Sequence, residues 1–393
     1  MLRKLPLLPR ILIAIVLGIV LGQFLPMSVV RLFATFNGIF SQFLGFIIPF
    51  IIVGLVTSAI GDIGRGAGKL LVATVLIAYL DTVFAGMLAY GTGTAFFPQL
   101  VESATNAGTI EKPEDIAPYF TVNIPAMFDV MSALVFSFLM GLCIAYGSMP
   151  TMKNIFNELR DVITRTISSA IIPLLPLYIF GIFLTMTSNG QVYHILKVFA
   201  MIIVVIFALH IFILIYEFIV ASIIGKRNPA KALWNMLPAY FTALGTSSSA
   251  ATIAITLRQT VKNGVSEGVA GFTVPLCATI HMSGSAMKIT CCAITICLLN
   301  NLPYDMPTFI HFVMMLGIVM VAAPGVPGGA IMAALAPLSS ILGFDAESQA
   351  LMIALYIAMD SFGTACNVTG DGAIAIIVDR FFRKKELKAD NVG

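Results

Sequence analysis

The chain has 393 residues, of which 59% are hydrophobic and only 10% are charged, with a mean hydropathy of +0.99 and a net charge of +3. Soluble domains carry about 25% charged residues, so this composition excludes a soluble domain or a set of them. We therefore predict an integral membrane protein with many spans.

The first apolar segment, Ile11–Leu25, follows the basic residues Arg3, Lys4 and Arg10, and in this it resembles a signal peptide. No small-residue cleavage site follows Pro26, and further apolar segments come at once. We therefore expect a first helix that is retained.

Five further apolar segments are each long enough to cross a hydrocarbon core of about 30 Å. They are roughly Phe36–Ile60, Leu70–Phe97, Phe128–Tyr146, Ser168–Met186 and Leu196–Ile224. The six cysteines all lie in apolar runs and lack metal-type spacing, so we expect small buried side chains and no disulfide or metal site.

Beyond Gly225 two apolar segments are broken in the middle. Ala230–Leu257 is broken by GTSSS at Gly245–Ser249, and Phe309–Leu342 is broken by APGVPGG at Ala323–Gly329. Lipid cannot satisfy the unpaired backbone groups of such a break, so the break must be buried in protein or face a water-filled cavity. Two re-entrant hairpins are predicted.

Each broken segment is followed by a span with a polar interruption. The seventh span, Gly271–Leu298, contains TIHMSGS at Thr279–Ser285, and the eighth, Leu351–Val378, contains DSFGTACNVTGD at Asp360–Asp371. A hairpin followed by an interrupted helix, occurring twice, is typical of an inverted repeat. The binding site is expected where the four interruptions meet.

Helical spacing would place four polar residues of the eighth span on one face. Asp360, Thr364, Asn367 and Asp371 are separated by four, three and four residues. That face must contact something other than lipid.

Basic residues indicate the topology, since Lys and Arg concentrate on the cytoplasmic side. With both termini inside, 18 of the 22 Lys and Arg residues fall in cytoplasmic segments, three fall outside, and Lys288 lies within a span. We predict an all-α polytopic protein of the cell (inner) membrane, with eight transmembrane helices and two re-entrant hairpins.

Four motifs now resemble the glutamate transporter family, the dicarboxylate/amino acid:cation symporters. They are GTSSSAAT in the first hairpin, TIHMSGS in the seventh span, GVPGG in the second hairpin, and D-x3-T-x2-NVTGD in the eighth span. Each motif alone is weak, but together they are specific and cover nearly the whole chain. The chain resembles a divergent member of this family.

The resemblance implies an elevator-type transporter that forms a homotrimer in the lipid bilayer. Helices 1–2 (1–69) and helices 4–5 with the outer 3–4 loop (99–190) would form a scaffold. Helix 3 (70–98) and residues 191–393, from helix 6 through both hairpins to the cytoplasmic tail, would form the transport domain.

The resemblance also implies roles for individual residues. Asp360 would hold the substrate amino group, and the eighth span and both hairpin tips would supply the other substrate contacts. These are Thr364, Asn367, Ser247, Ser248, Ser249, Gly325 and Val326. Asp371 and the Asn367 carbonyl match one sodium site, and Tyr79 and Thr82 belong to a second.

Two departures from the family pattern bear on substrate and coupling. Gly363 stands where acidic-substrate members carry an arginine for the side-chain carboxylate, so a neutral substrate is favoured and the space would admit a larger side chain. The family's sodium motif N-M-D-G-T is replaced in this chain by H-M-S-G-S, so that His281 stands for its asparagine and Ser283 for its aspartate. Thr279, another candidate residue of the cation site, lies two positions before it. Hard cations need several oxygen ligands, so we expect sodium coupling to be weakened.

Lys288 is expected to need a partner, because a charge at mid-membrane costs on the order of 3 kcal/mol on insertion scales. We hypothesise that Lys288 pairs with Asp371 as a tethered cation, that His281 or Asp371 titrates, and that Asp81 is a displaced acidic ligand or proton carrier. The alternative is that Lys288 snorkels to the outer interface and His281 is only hydrogen-bonded. No role is assigned to Glu217.

The predicted function is secondary active transport of a small neutral amino acid, with Na+ or H+ as coupling ion or by exchange, and with no cofactor and no nucleic-acid partner. Alternatives are a symporter of dicarboxylates or acidic amino acids, and an anion channel or transport-dead sensor. An intramembrane serine hydrolase that uses a serine of GTSSS with His281 is the remote alternative, because it leaves every other motif unexplained.

Overall fold

The computed structural model describes residues 7–63, 68–105, 116–127, 129–147, 149–190, 192–323 and 328–389. Within these ranges the chain is helical, with no strand. The helices are α1 Leu7–Leu21, α2 Met27–Ile63, α3 Gly68–Thr105, α4 Val130–Gly147, α5 Pro150–Thr166, α6 Ile172–Ser188, α7 Val192–Gly225, α8 Pro229–Thr246, α9 Ser249–Lys262, α10 Glu267–Ile280, α11 Ser283–Leu299, α12 Met306–Val321, α13 Gly329–Ser340, α14 Ala346–Ala358 and α15 Asp360–Ala389.

Six segments of the described chain are long and apolar enough to cross a membrane. They are Met27–Ser58, Lys69–Glu102, Pro150–Ser188, Ile195–Gly225, Glu267–Leu299 and Asp360–Phe382. Shorter apolar helices, among them α12, α13 and α14, lie between them. A multi-pass, all-helical membrane protein is confirmed, while the count of eight spans stays a prediction.

The sequence predicted only the second half of one long helical segment. The helix of the expected span Ser168–Met186 begins earlier, at Pro150, and runs through a π-helical turn at Ile167–Ile171 to Ser188. Its first part is amphipathic, and only Phe156 and Ile163 of it are buried. Hydropathy alone did not detect it because charged residues cover its other face.

The glycines of α1 permit close packing on α6. A Cβ at Gly18 would lie 2.8 Å from the carbonyl oxygen of Phe180, and one at Gly22 would lie 2.6 Å from Cβ of Thr187. Small residues at this spacing let two helix backbones approach each other. The Gly18–Gly22 pair therefore marks the α1–α6 contact.

The two broken segments form helix pairs, as predicted. In the first, Nδ2 of Asn235 in α8 donates to Oδ1 of Asn263 just after α9 at 2.8 Å, and Nδ2 of Asn263 donates to the Ala232 carbonyl at 2.9 Å. The start of α8 therefore lies beside the end of α9, as in a helical hairpin. In the second, α12 packs on α13.

The first polar interruption contains a helix break, while the second, Asp360–Asp371, is helical and directly follows a break. His281 and Met282 separate α10 from α11, with His281 in extended backbone geometry, and Met359 separates α14 from α15. α15 packs against α7, α8, α9, α10 and α11. Its first three turns are thus enclosed by other helices and bring the polar residues of DSFGTACNVTGD into the interior.

Candidate functional site

A buried lysine and a buried aspartate form the first part of the site. The Nζ of Lys288, in α11, lies 3.4 Å from Oδ1 of Asp360, the first residue of α15. The same ammonium donates to the carbonyls of Met359 at 3.2 Å and Tyr356 at 3.5 Å, and it lies 3.5 Å from the centre of the Tyr356 ring. The Lys288 side chain has no exposed surface. Its three N–H donors thus have three acceptors, and the ring adds a cation–π contact.

This geometry corrects three expectations. The partner of Lys288 is Asp360 and not Asp371, and Lys288 is buried and does not snorkel to an interface. Gly363 is not beside empty space, because a Cβ there would lie 2.7 Å from the Lys288 Nζ and 3.0 Å from its Cε. The lysine fills the room that the glycine leaves.

Asp360 also connects to the second hairpin. Its Oδ2 accepts a hydrogen bond of 2.9 Å from the backbone N–H of Gly328, which precedes α13. Gly328 has φ of +76°, a conformation that favours glycine. One carboxylate therefore links α11, the start of α13 and α15.

His281 forms the second part of the site, between two carboxylates. Its Nδ1 lies 3.0 Å from Oδ1 of Asp371, and its Nε2 lies 2.9 Å from Oδ2 of Asp81 in α3. The His281 and Asp371 side chains are buried, while that of Asp81 is 13% exposed. An imidazole between two carboxyl groups donates from both nitrogens when it is protonated, and from one nitrogen when a carboxyl group carries the proton instead.

Glu217 of α7 joins this cluster. Its Oε1 accepts a hydrogen bond of 2.9 Å from the hydroxyl of Ser283, and its buried Oε2 has no hydrogen-bond partner. A Cβ at Gly370 would meet Oε2 of Glu217 and would lie 2.7 Å from Cε1 of His281, so the cluster fills the space beside that glycine. Glu217, for which the sequence supplied no role, is a member of the cluster.

A cavity of about 340 Å³ opens beside the cluster. Asp81 and Glu217 line it together with apolar side chains such as Phe84, Tyr216 and Ile377. A larger cavity, of about 690 Å³, lies at the end of α11 and the start of α14 and contains none of the predicted site residues. The chemistry therefore concentrates at the smaller cavity and at Lys288.

Asn367 connects the two parts of the site. Its Oδ1 accepts from the Ser285 backbone N–H at 3.2 Å, its Nδ2 donates to the Ser285 hydroxyl at 3.0 Å, and that hydroxyl lies 3.1 Å from the Tyr356 hydroxyl. Thr82 accepts from the backbone N–H of Met282 at 3.3 Å. Both contacts hold the break between α10 and α11 in place.

Two of the side chains assigned to cations by resemblance have hydrogen-bond partners within the protein. Oδ1 of Asp371 lies 3.0 Å from Nδ1 of His281, and the Thr82 hydroxyl accepts from the Met282 backbone N–H. A sodium ion at either residue would need several further oxygen ligands.

Some predicted residues lie elsewhere. The Tyr79 hydroxyl donates to the Met314 carbonyl of α12 at 3.2 Å, and the exposed Thr279 donates to the Leu276 carbonyl within α10. Ser247, Ser248 and Ser249 lie at the first hairpin tip, and their side chains are partly exposed. Ser247 has φ of +50°, and Ser248 caps α9.

The remaining substrate residues are placed as follows. Thr364 is buried on α15 with Asp360, Asn367 and Asp371, as the spacing predicted. Gly325 and Val326 lie outside the residues that the structure describes.

Two residues of the site were missed by sequence reasoning. Nε2 of the buried His210 in α7 lies 3.0 Å from the Gly284 carbonyl at the start of α11. The Tyr356 ring and carbonyl contact Lys288. A histidine inside an apolar span is a detectable signal, whereas nothing in the sequence distinguishes Tyr356 from other buried aromatic residues.

Comparison with known proteins agrees with these features. The family model described as "Sodium:dicarboxylate symporter family" matches residues 7–381. A curated relative, the serine/threonine transporter SstT of Streptococcus suis (strain 05ZYH33), is 27% identical over 344 residues, which cover 84% of this chain and 94% of that protein. Both comparisons are with transporters and not with enzymes.

Proposed function

We propose, since this chain belongs to the sodium:dicarboxylate symporter family, that it moves a small neutral amino acid across the cell membrane as a secondary active transporter. The observation that carries the proposal is the Lys288–Asp360 pair beside Gly363. No arginine is present there for a side-chain carboxylate, and the lysine that fills the space beside Gly363 is paired with Asp360. A dicarboxylate would therefore lack a charge partner.

The similarity to a protein named as a serine/threonine transporter supports a small neutral substrate. A symporter of dicarboxylates or acidic amino acids is the alternative. In the proposed site, Asp360, Thr364 and Asn367 of α15 face the substrate together with Ser247, Ser248 and Ser249. Three of these residues, Asp360, Thr364 and Asn367, are buried on one side of α15, which supports a common binding face.

We further propose an elevator mechanism in a homotrimer, with both termini cytoplasmic. The helix contacts support two groups: α1, α2, α4, α5 and α6 contact one another, and α3 and α7–α15 contact one another. The first group is the proposed scaffold and the second the proposed transport domain. Contacts such as α1 with α14 and α2 with α13 lie between the groups and would change as one slides on the other.

In this proposal sodium coupling is weakened, and proton coupling or substrate exchange replaces it. The support is His281, whose two nitrogens bind Asp81 and Asp371 in the region where the family pattern has sodium ligands. A histidine–carboxylate cluster can hold and release a proton without any metal ion.

A thermal-shift screen tests the substrate assignment. Purified protein is heated with L-serine, L-threonine, L-alanine, L-aspartate or succinate, each with and without sodium. Ligands that bind the folded state raise the melting temperature. We expect stabilisation by a neutral amino acid that does not require sodium. Stabilisation by succinate or L-aspartate and by none of the neutral amino acids would establish the alternative.

A further inference from the structure

We propose that Lys288 is an internal ammonium that occupies Asp360 when no substrate is bound, and that the ammonium of a substrate amino acid replaces it there. Lys288 is thus a positioning residue for the empty transporter, which needs no external cation at Asp360. This inference rests on the proposed function for the identity of the substrate.

The first support is the burial of both charges. Lys288 has no exposed surface, and the Asp360 side chain is 8% exposed. A carboxylate buried to this extent is strongly destabilising when it lacks a counter-charge. Within the described part of the chain Asp360 forms an ion pair with Lys288, so the lysine supplies the counter-charge to this carboxylate.

The second support is the uneven set of contacts around Lys288. The Nζ lies 3.4 Å from Asp360, which is longer than a typical charge-assisted hydrogen bond, and it is also held by the Met359 carbonyl at 3.2 Å and by the face of the Tyr356 ring. Loss of the Asp360 contact therefore leaves the ammonium with carbonyl and ring partners. The carboxylate can then turn to a substrate ammonium while Lys288 stays bound.

The third support is the link to the second hairpin. Oδ2 of Asp360 accepts the hydrogen bond from the Gly328 N–H at the start of α13. The Lys288–Asp360 pair thereby holds α13 against α15 through contacts within the protein alone. In this inference, a transporter that keeps this contact without substrate returns across the membrane and completes a cycle of net transport.

Gly363 provides a way to move the ammonium without removing its charge. A methyl group at this position would lie 2.7 Å from Nζ, so Gly363→Ala displaces Lys288 from Asp360. Gly372, in the same helix, is the matched control. Its added Cβ would lie 2.7 Å from the terminal methyl of Met236, a flexible apolar group far from Asp360 in α15.

The test compares two modes of L-serine flux in proteoliposomes. Net uptake into empty vesicles requires the return of the empty transporter, whereas exchange with internal unlabelled L-serine does not. We expect the ratio of net uptake to exchange to fall about tenfold in Lys288→Met and in Gly363→Ala relative to the original protein. Gly372→Ala should retain both. Equal loss of net uptake and exchange, or loss of neither, overturns the inference.

A measurement without substrate separates this inference from the proposed function. If the original protein moves no L-serine in either mode, the substrate assignment fails, and hydrogen–deuterium exchange at Gly328–Met332 then tests the inference alone. We expect amide exchange in ligand-free Lys288→Met and Gly363→Ala to be about tenfold faster than in the original protein and in Gly372→Ala. Equal rates in all four proteins overturn it.

Discussion

The ammonium of Lys288 lies 3.4 Å from the carboxylate of Asp360 at the junction of α11, α15 and the start of α13. The pair places a positive charge of the protein beside the aspartate that, in the family pattern, binds the substrate. His281, in contrast, binds Asp81 and Asp371. The site thus has two separate charged centres, and each can be changed on its own.

Removing one partner of the first centre should destabilise the protein more than removing both. Lys288→Met and Asp360→Asn each leave a buried charge alone, which costs about 3–5 kcal/mol, while the double variant leaves none. Thermal unfolding in detergent should therefore show a lower melting temperature for each single variant than for the double variant. Additive losses in the double variant would show that the two residues do not interact.

The Tyr356 ring should contribute to holding the lysine. Tyr356→Phe keeps the ring 3.5 Å from Nζ and loses only the hydroxyl contact with Ser285, whereas Tyr356→Leu loses the cation–π contact as well. We expect Tyr356→Leu to be less stable than Tyr356→Phe by about 1–2 kcal/mol in the free energy of unfolding, and therefore to unfold at a lower temperature. Equal melting temperatures would mean that the ring does not stabilise the ammonium.

The second centre should affect coupling more than substrate binding. His281→Gln keeps a polar side chain but cannot bridge Asp81 and Asp371 as a cation. We expect uptake driven by an imposed pH gradient to fall about tenfold, while exchange at equal pH on both sides remains within about twofold. Uptake that still follows the pH gradient in His281→Gln would remove this residue from coupling.

The stability of the second hairpin should decrease in acid because of Asp305, which caps the start of α12. The Thr308 backbone N–H and then the Thr308 hydroxyl donate to this carboxylate, and they hold the pKa of Asp305 below its ordinary value. Because the folded-state pKa is lowered, the stabilisation is present above the unfolded pKa of about 4 and is lost as the pH falls through the folded value.

Melting temperatures of the original protein and Asp305→Ala should therefore differ at neutral pH and converge in acid. Asp305→Asn, which keeps a capping oxygen but has no charge, is the control, and its melting temperature should differ from that of Asp305→Ala by an amount that is independent of pH. A constant difference for Asp305→Ala across the same range would show that the ionised carboxylate is not what stabilises the start of α12.

Much of the fold follows from sequence patterns because membrane helices need continuous apolar runs. The breaks at GTSSS and TIHMSGS and the polar face of α15 stand out against these runs, and the structure contains them. Pro150–Thr166 was missed, since its charged face lowers its mean hydropathy below that of a span.

Pairing within the site was harder to predict. The hypothesis that Lys288 meets Asp371 started from the missing sodium ligands around Asp371, and it did not foresee that His281 binds this carboxylate. Gly363 was interpreted as a space for substrate, since sequence spacing does not show that a lysine from another helix fills it. Contacts between helices depend on tertiary packing and not on periodicity.

Uptake of labelled L-serine into proteoliposomes under separate ion gradients tests the central claim most directly. Vesicles of purified protein receive an inward sodium gradient, an inward proton gradient, or internal unlabelled L-serine with no gradient. We predict uptake with the proton gradient or by exchange, with no requirement for sodium. Uptake that requires sodium and rises steeply with its concentration would contradict the account.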